Sequence, residues 1–227
     1  MNVITIASRS AGSGKTTLTA HLASAAQGRG ARCLVIDADP RGALAAYNSR
    51  RAEGALPLSR AAFAIARQVA MAEVVGYDWA FIDTPATDGY VVEEAIRVAT
   101  LVVIPARPAF RELNAVRETV DAVRACSKPY LAVFNGAPES RKEHGRTECG
   151  RRETEPLAIA EPRASLRRSD IPVWSGHISE RAGHAQSLEF LRLWSMIARS
   201  VAAIQEAREA RQADHDQDHA DRARAAG

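Results

Sequence analysis

Lysine is scarce in this chain of 227 residues: of 30 basic residues only Lys15, Lys128 and Lys142 are lysine, so positive charge is carried by arginine. Thirty Lys and Arg against 27 Asp and Glu leave a formal charge of +3. That surplus is too small to establish a nucleic-acid partner and does not oppose one. The arginine bias has two readings, phosphate contacts or the coding preference of the source genome, and composition does not choose between them. Cysteine is sparse as well. Cys33, Cys126 and Cys149 lie far apart with no C-x-x-C spacing, which suggests neither a zinc site nor a redox pair, and Cys33 falls in an apolar run expected in the core. Long apolar segments are missing, and the opening run "MNVITIAS" has no basic leader. Neither a secretion signal nor a membrane span is predicted, and the expected compartment is the cytoplasm.

Against these absences stand five short apolar runs: Val3 to Ala7, Cys33 to Ile36, Trp79 to Ile82, Leu101 to Ile104 and Tyr130 to Phe134. They are rich in β-branched and aromatic residues without polar alternation, the pattern of strands covered on both faces. Alanine-rich stretches of helical period separate them, with Leu18, Leu22 and Ala25 on one face. Strand alternating with helix predicts an α/β fold, a doubly wound, mostly parallel sheet with helices on both faces. Residues 1–204 are read as one domain of this kind. Within it, 139–170 is an arginine-rich insertion or loop carrying Arg141, Lys142, Arg146, Arg151, Arg152, Arg163, Arg167 and Arg168. A short strand is expected near Val173 and Trp174, followed by an amphipathic helix marked by Phe190, Leu193, Trp194, Ile197, Val201 and Ile204. Residues 205–227 hold no apolar side chain larger than alanine, predicting a frayed helix or a disordered tail. His215, Asp216, Asp218 and His219 lie in that tail with nothing to fix them, and are not read as a metal site.

Ligands of such sheets bind at the carboxyl ends of the strands, and polar residues gather there: Arg9 to Thr16, Asp37 to Asp39, Asp83 with Thr84, and Asn135. The stretch "SRSAGSGKTTL" ends in Gly14-Lys15-Thr16, the close of a phosphate-binding loop, yet Arg9 stands where the common pattern needs its first glycine. A loop after a buried strand that opens a helix presents backbone N–H groups and the positive helix end to an anion. Gly12 and Gly14 let the backbone approach the phosphates. Lys15 would reach the β- and γ-phosphates and the Thr16 hydroxyl a magnesium ion. Asp83, ending "WAFIDTP", is placed to supply the carboxylate that magnesium favours. In "VIDADP", Asp39 is a candidate for orienting the attacking water and Asp37 for supporting the metal. The alternative for each is a cap on the helix that begins near Arg41.

These motifs together resemble the ParA/MinD-type ATPases, the deviant Walker A family of P-loop proteins. Ser10-Ala11-Gly12-Ser13-Gly14-Lys15-Thr16 aligns with that family's K-G-G-x-G-K-[ST], which accounts for the missing glycine at position 9. "LVIDADPRG" is similar to a D-x-D-P-Q-G motif with Arg41 in place of glutamine, "YDWAFIDTPAT" to a Walker B segment, and "LVVIPARP" and "AVFNG" to the fourth and fifth strands; later only "HISERAGHAQS" looks related. The resemblance implies that Ala11, Gly12, Ser13, Gly14, Lys15, Thr16 and Thr17 hold ATP with Mg2+, and that Asn135 lies near the adenine. It also implies an ATP-dependent homodimer, nonspecific DNA binding on the nucleoid, and a ParB-like or other adaptor protein that stimulates hydrolysis. In relatives the residue at position 10 is a lysine that reaches the partner's nucleotide. Ser10 removes it and Ala11 replaces a glycine, which predicts a weakened dimer and slow hydrolysis unless Arg9 supplies the charge. Some relatives that position protein cargo, such as carboxysomes, also lack that lysine.

The leading expectation is therefore an ATPase that partitions a plasmid or chromosome or positions a cargo, with Arg163, Arg167 and Arg168 as candidate DNA contacts. The alternatives are a biosynthetic ligase or kinase on the same scaffold, and a conjugation accessory ATPase with little hydrolysis.

Overall fold

The five apolar runs form the centre of a seven-stranded sheet whose registered pairs are all parallel. The computed structural model describes residues 1–50, 55–61, 63–87, 89–138, 156–180 and 187–225. The chain runs β1 (Asn2–Ile6), α1 (Lys15–Gln27), β2 (Cys33–Asp37), α2 (Ala43–Ser49), β3 (Leu58–Arg60), α3 (Ile65–Val75), β4 (Trp79–Asp83) and α4 (Tyr90–Val98). It continues through β5 (Leu101–Ala106), a 3-10 turn at Phe110–Glu112, α5 (Leu113–Ala125), β6 (Tyr130–Ala137), α6 (Leu157–Arg167), β7 (Ile178–Ser179) and α7 (Leu188–Ala225). The spatial order is β3-β2-β4-β1-β5-β6-β7. The chain thus winds from β1 to one edge, returns to β4, and crosses β1 to build the other half, so the β1–α1 loop lies where the winding reverses. Crevices at such a reversal are where parallel α/β sheets bind ligands.

Both sheet faces are covered, and the two-residue period of a strand sorts side chains between them. Ile4, Ile6, Val35, Phe81, Val103 and Val133 pack with Leu18 and Leu22 of α1 and with Phe190, Leu193, Trp194, Ile197 and Val201 of α7. On the opposite face Val102, Ile104, Ala132 and Phe134 meet Ile96, Val116, Val120, Ile159 and Leu166, while Leu34, Ile36, Ala80 and Ile82 meet Ile65 and Ala72 of α3. This two-sided burial is why the strand sequences show no polar alternation. The C-terminal amphipathic helix covers the sheet as its spacing predicts. Trp194 sets its ring edge-on to Trp79 at 4.7 Å, and Phe190 stacks on the buried His21 of α1 at 4.4 Å.

Two strands depart from the sequence reading. β3 is a three-residue edge strand with no fully buried side chain, and β7 has two residues, so neither carries an apolar run. The strand expected at Val173 is a single bridge to Ala132. Residues 205–225 continue α7, which at 38 residues is about 57 Å long. Gln205 donates to Asn2 Oδ1 at 2.7 Å, and the described side chains from Glu206 to Asp214 are exposed. No described helix is long and apolar enough to cross a membrane. Cys149, the basic residues Arg141, Lys142, Arg146, Arg151 and Arg152, the stretch 181–186, and the side chains of His215, Asp218 and His219 lie outside the described residues.

Candidate nucleotide-binding site

Strand β1 delivers the chain into a loop that α1 ends at Lys15. Gly12 and Gly14 have φ of +76° and +89°, the left-handed region that a Cβ disfavours. Gly14 is required a second time, because a Cβ there would collide with the Asn135 side-chain amide. Asn135, at the end of β6, donates from Nδ2 to the Ser13 carbonyl at 2.8 Å. It therefore braces the phosphate loop from below, a role the resemblance did not assign to it. No side chain caps α1, so its first N–H groups remain for an anion. The Ser13 hydroxyl is buried without a hydrogen-bond partner among the described residues.

Lys15, 8% exposed, donates from Nζ to the Ser8 and Ser10 carbonyls at 3.1 Å each. Burial lowers its pKa, while Asp83 and Asp39 oppose that shift. Thr16 Oγ1 donates to Asp83 Oδ2 at 2.6 Å. Asp83 is fully buried at the end of β4, in register with Asp37 at the end of β2. Burial pushes its carboxyl up to about 7; the Thr16 hydrogen bond and Lys15 pull it down, whereas Asp37 and Asp39 add to the rise. Asp83 Oδ1 has no hydrogen-bond partner among the described residues. A hydroxyl and a carboxylate with one orphaned oxygen, beside a second acidic residue, are the oxygen donors that a magnesium ion takes while keeping most of its waters. The residues present fit that ion, and Thr16 and Asp83 would be the ones to hold it.

The β2–α2 loop forms the second wall. Asp37 accepts from Asp39 N–H at 3.2 Å and from Ala45 N–H at 2.9 Å, so both its oxygens fasten backbone at the start of α2. Asp37 thus makes the backbone contact of the capping alternative. Asp39 Oδ1 accepts from Arg41 N–H at 2.9 Å. Asp39, Pro40, Arg41 and Ala43 face Ala11, Gly12, Gly14, Lys15, Thr16 and Thr17 across a cleft of about 550 Å³, closed on its third side by Pro85, Ala86 and Thr87. The fold brings Lys15, Thr16, Asp39 and the loop glycines together at this cleft, with Asp83 beneath Thr16 and Asn135 beneath the loop.

Position 10 and its neighbour are occupied elsewhere. The Ser10 hydroxyl donates to Glu112 Oε2 in the turn before α5. Arg9 donates its backbone N–H to Thr119 Oγ1 at 3.1 Å and pairs its guanidinium with Glu118 at 3.3 Å, both on α5. Arg9 belongs to the α5 side of the loop, where it lines a separate small cavity with Thr119 and Ala122.

The expected DNA contacts separate. Arg167 and Arg168 are exposed, but Arg163 is 3% exposed. Its guanidinium donates to the Trp174 carbonyl and, at 3.0 Å, to the Gly176 carbonyl, and lies 5.3 Å from the Phe134 ring centre. Arg163 is corrected from a surface contact to a buried tie between α6 and the chain after Val173. Its position in α6 puts it on the apolar face, four residues after Ile159 and three before Leu166, a spacing legible in "IAEPRASL". The arginines that do share a cleft are Arg29, after α1, with Arg192 and Arg199 of α7, around a cavity of about 620 Å³. Arg29 donates to Ser195 Oγ at 3.1 Å, and none of the three forms an ion pair among the described residues. The signal in the sequence was the seven-residue spacing of Arg192 and Arg199, which places them on one helix face.

The comparisons with known proteins agree with this geometry. Residues 4–205 match the family described as the CobQ/CobB/MinD/ParA nucleotide binding domain. No curated protein matches the chain. Cobyrinic acid a,c-diamide synthase from Mycobacterium smegmatis, solved with ADP and magnesium, is 17% identical with a TM-score of 0.68, covering 87% of this chain and 94% of that one. A Cyanothece McdA variant in complex with ATP is 18% identical with a TM-score of 0.61, covering 91% and 96%. A plasmid partition protein from Borrelia burgdorferi is 17% identical with a TM-score of 0.61, covering 88% and 98%. At such identities the likeness is one of fold. The family match spans most of the chain and coincides with the phosphate loop, its two acidic strand ends and the cleft between them: this chain belongs to the CobQ/CobB/MinD/ParA nucleotide-binding domain family.

Proposed function

We propose that the chain is an ATPase of the ParA/MinD kind, which binds Mg-ATP in the cleft, dimerises on it, and uses that cycle on nonspecific DNA to partition a replicon or position a cargo. The observation that carries the reading is the Thr16–Asp83 hydrogen bond beneath the phosphate loop, with Lys15 buried beside it. In this reading the N–H groups of the loop and α1 bind the phosphates, and Lys15 follows the developing charge. Asp39 orients the water through the carboxylate that Arg41 N–H holds in place. A bound magnesium ion supplies charge neutralisation at the terminal phosphates. The described walls of the cleft are polar or small, and Pro85 to Thr87 form the side where a nucleotide would be covered.

The DNA surface in this proposal is the cleft of Arg29, Arg192 and Arg199, which offers guanidinium groups without acidic partners among the described residues. A second reading, a ligase acting on a small carboxylic acid, draws support from the fold likeness to the Mycobacterium smegmatis synthase, the higher of the TM-scores given above. Steady-state ATP turnover with and without duplex DNA, alongside light scattering with and without ATP, separates them. DNA stimulation and an ATP-dependent doubling of mass are expected. Turnover indifferent to DNA in a chain that stays monomeric would favour the ligase.

A further inference from the structure

The cleft walls carry one cation that the nucleotide reading leaves without a task. Of the described residues lining it, only Lys15 and Arg41 are positive. Lys15 is already held by two loop carbonyls, and a triphosphate brings more negative charge than one ammonium offsets. The neighbouring positions do not make up the difference: the Ser10 hydroxyl carries no charge and donates to Glu112, and Arg9 is drawn to Glu118 on α5.

We infer that Arg41 contacts the terminal phosphate from within the same subunit and replaces the charge that position 10 lacks; this rests on the nucleotide reading above. The geometry favours it in three ways. Arg41 belongs to the wall that faces Gly12, Lys15 and Thr16 across the cleft. Its backbone is pinned on both sides: its N–H is bound by Asp39, Gly42 N–H by the Asp39 carbonyl at 2.9 Å, and Gly42 sits at φ +66°. Arg60 at the end of β3 backs this turn, its guanidinium reaching the Pro40 carbonyl at 3.5 Å. The side chain, by contrast, is exposed and forms no ion pair among the described residues. A fixed backbone with an uncommitted guanidinium suits forked recognition of a phosphate, since the backbone needs no further ordering when the ligand arrives and the planar fork is rigid. A glutamine at this position offers an amide and no charge, so the exchange at position 41 compensates the exchange at position 10.

The test is calorimetric titration of the full chain with Mg-AMPPNP and with Mg-ADP. Arg41→Ala is expected to weaken AMPPNP roughly tenfold to a hundredfold, the range for one charge-assisted contact, and ADP no more than about twofold. Arg41→Lys should recover part of the loss, and Arg9→Ala should bind both nucleotides like wild type. AMPPNP affinity unchanged in Arg41→Ala, or equal weakening of AMPPNP and ADP, overturns the assignment while leaving the nucleotide site standing. A wild-type chain that binds neither nucleotide overturns both.

Discussion

Arg163 offers the sharpest separation between a surface charge and a structural one. Replacing it with methionine keeps most of the stem and removes the guanidinium, leaving the Trp174 and Gly176 carbonyls without that donor. Abandoning the buried Trp174 acceptor costs about 1–3 kcal/mol and the part-buried Gly176 acceptor about 1 kcal/mol, and the contact with the Phe134 face adds about 1 kcal/mol. Methionine is spared the desolvation that a buried guanidinium suffers, which offsets part of the sum. The net loss expected for Arg163→Met is about 2–4 kcal/mol, a large share of the 5–15 kcal/mol by which domains are held. With a urea m-value of about 2 kcal/mol/M, the midpoint should fall by about 1–2 M at unchanged slope. Arg163→Lys should lose nearly as much, because a single ammonium on its stem does not reproduce the fixed, separated N–H donors that the guanidinium aims at the two carbonyls. Below the transition, the salt dependence of duplex binding by Arg163→Met should equal that of wild type. By contrast, Arg192→Ala and Arg199→Ala should each lower the log–log slope by about 0.9. A midpoint shift below about 0.3 M, or a slope reduced by nearly one unit in Arg163→Met, would refute the burial argument.

Lys15→Ala should weaken Mg-ATP roughly tenfold to a hundredfold by fluorescence titration, and wild-type affinity would remove Lys15 from the phosphates. Asp39→Ala should slow turnover while leaving nucleotide affinity nearly intact; equal losses in both would make it a structural residue. For the nucleotide-free protein, burial holds Asp83 near 7 against an ordinary 3.8, so the folded state keeps a proton that the unfolded chain has released. That stability is full below about pH 4 and is lost as pH rises through about 7, by about 4 kcal/mol as an upper bound. Asp83→Asn should flatten this dependence in thermal melts, and parallel wild-type and variant curves would contradict it. Burial likewise pushes the Cys33 thiol up to about 12, with Asp78 adding to the rise. Iodoacetamide at pH 8 should leave the Cys33 peptide unmodified until the chain is unfolded, as read by mass spectrometry.

What the sequence makes legible follows from how strongly each residue is constrained by its neighbours in the chain. The central strands announce themselves because both faces are buried, and the phosphate loop because two glycines, a lysine and a threonine sit between a strand and a helix. The edge strand Leu58–Arg60 and the pair Ile178–Ser179 leave no such trace, since short edges are defined by a partner strand remote in sequence. At the site, Lys15, Thr16 and Asp83 follow from spacing. The commitments of Ser10 to Glu112 and of Arg9 to Glu118 join residues far apart in sequence, and no local pattern encodes them; for Arg163 the helical spacing marks a buried face but not the Trp174 carbonyl that it meets. Asp37 shows the middle case: capping and metal support ask for the same residue type, and only the Ala45 N–H contact distinguishes them.

The stacking of His21 on Phe190 and the contact of Trp194 with Trp79 have a consequence for biosynthesis. The helix that opens at the phosphate loop is completed by side chains that leave the ribosome long after it does. Until α7 emerges, Leu18 and Leu22 of α1 and the strand residues Ile4, Ile6 and Phe81 lack part of their cover. At about 5–20 residues per second, the first strands wait on the order of ten seconds for that cover. A stop codon before Leu188 would therefore yield a product with every phosphate-loop residue present and an open core beneath them.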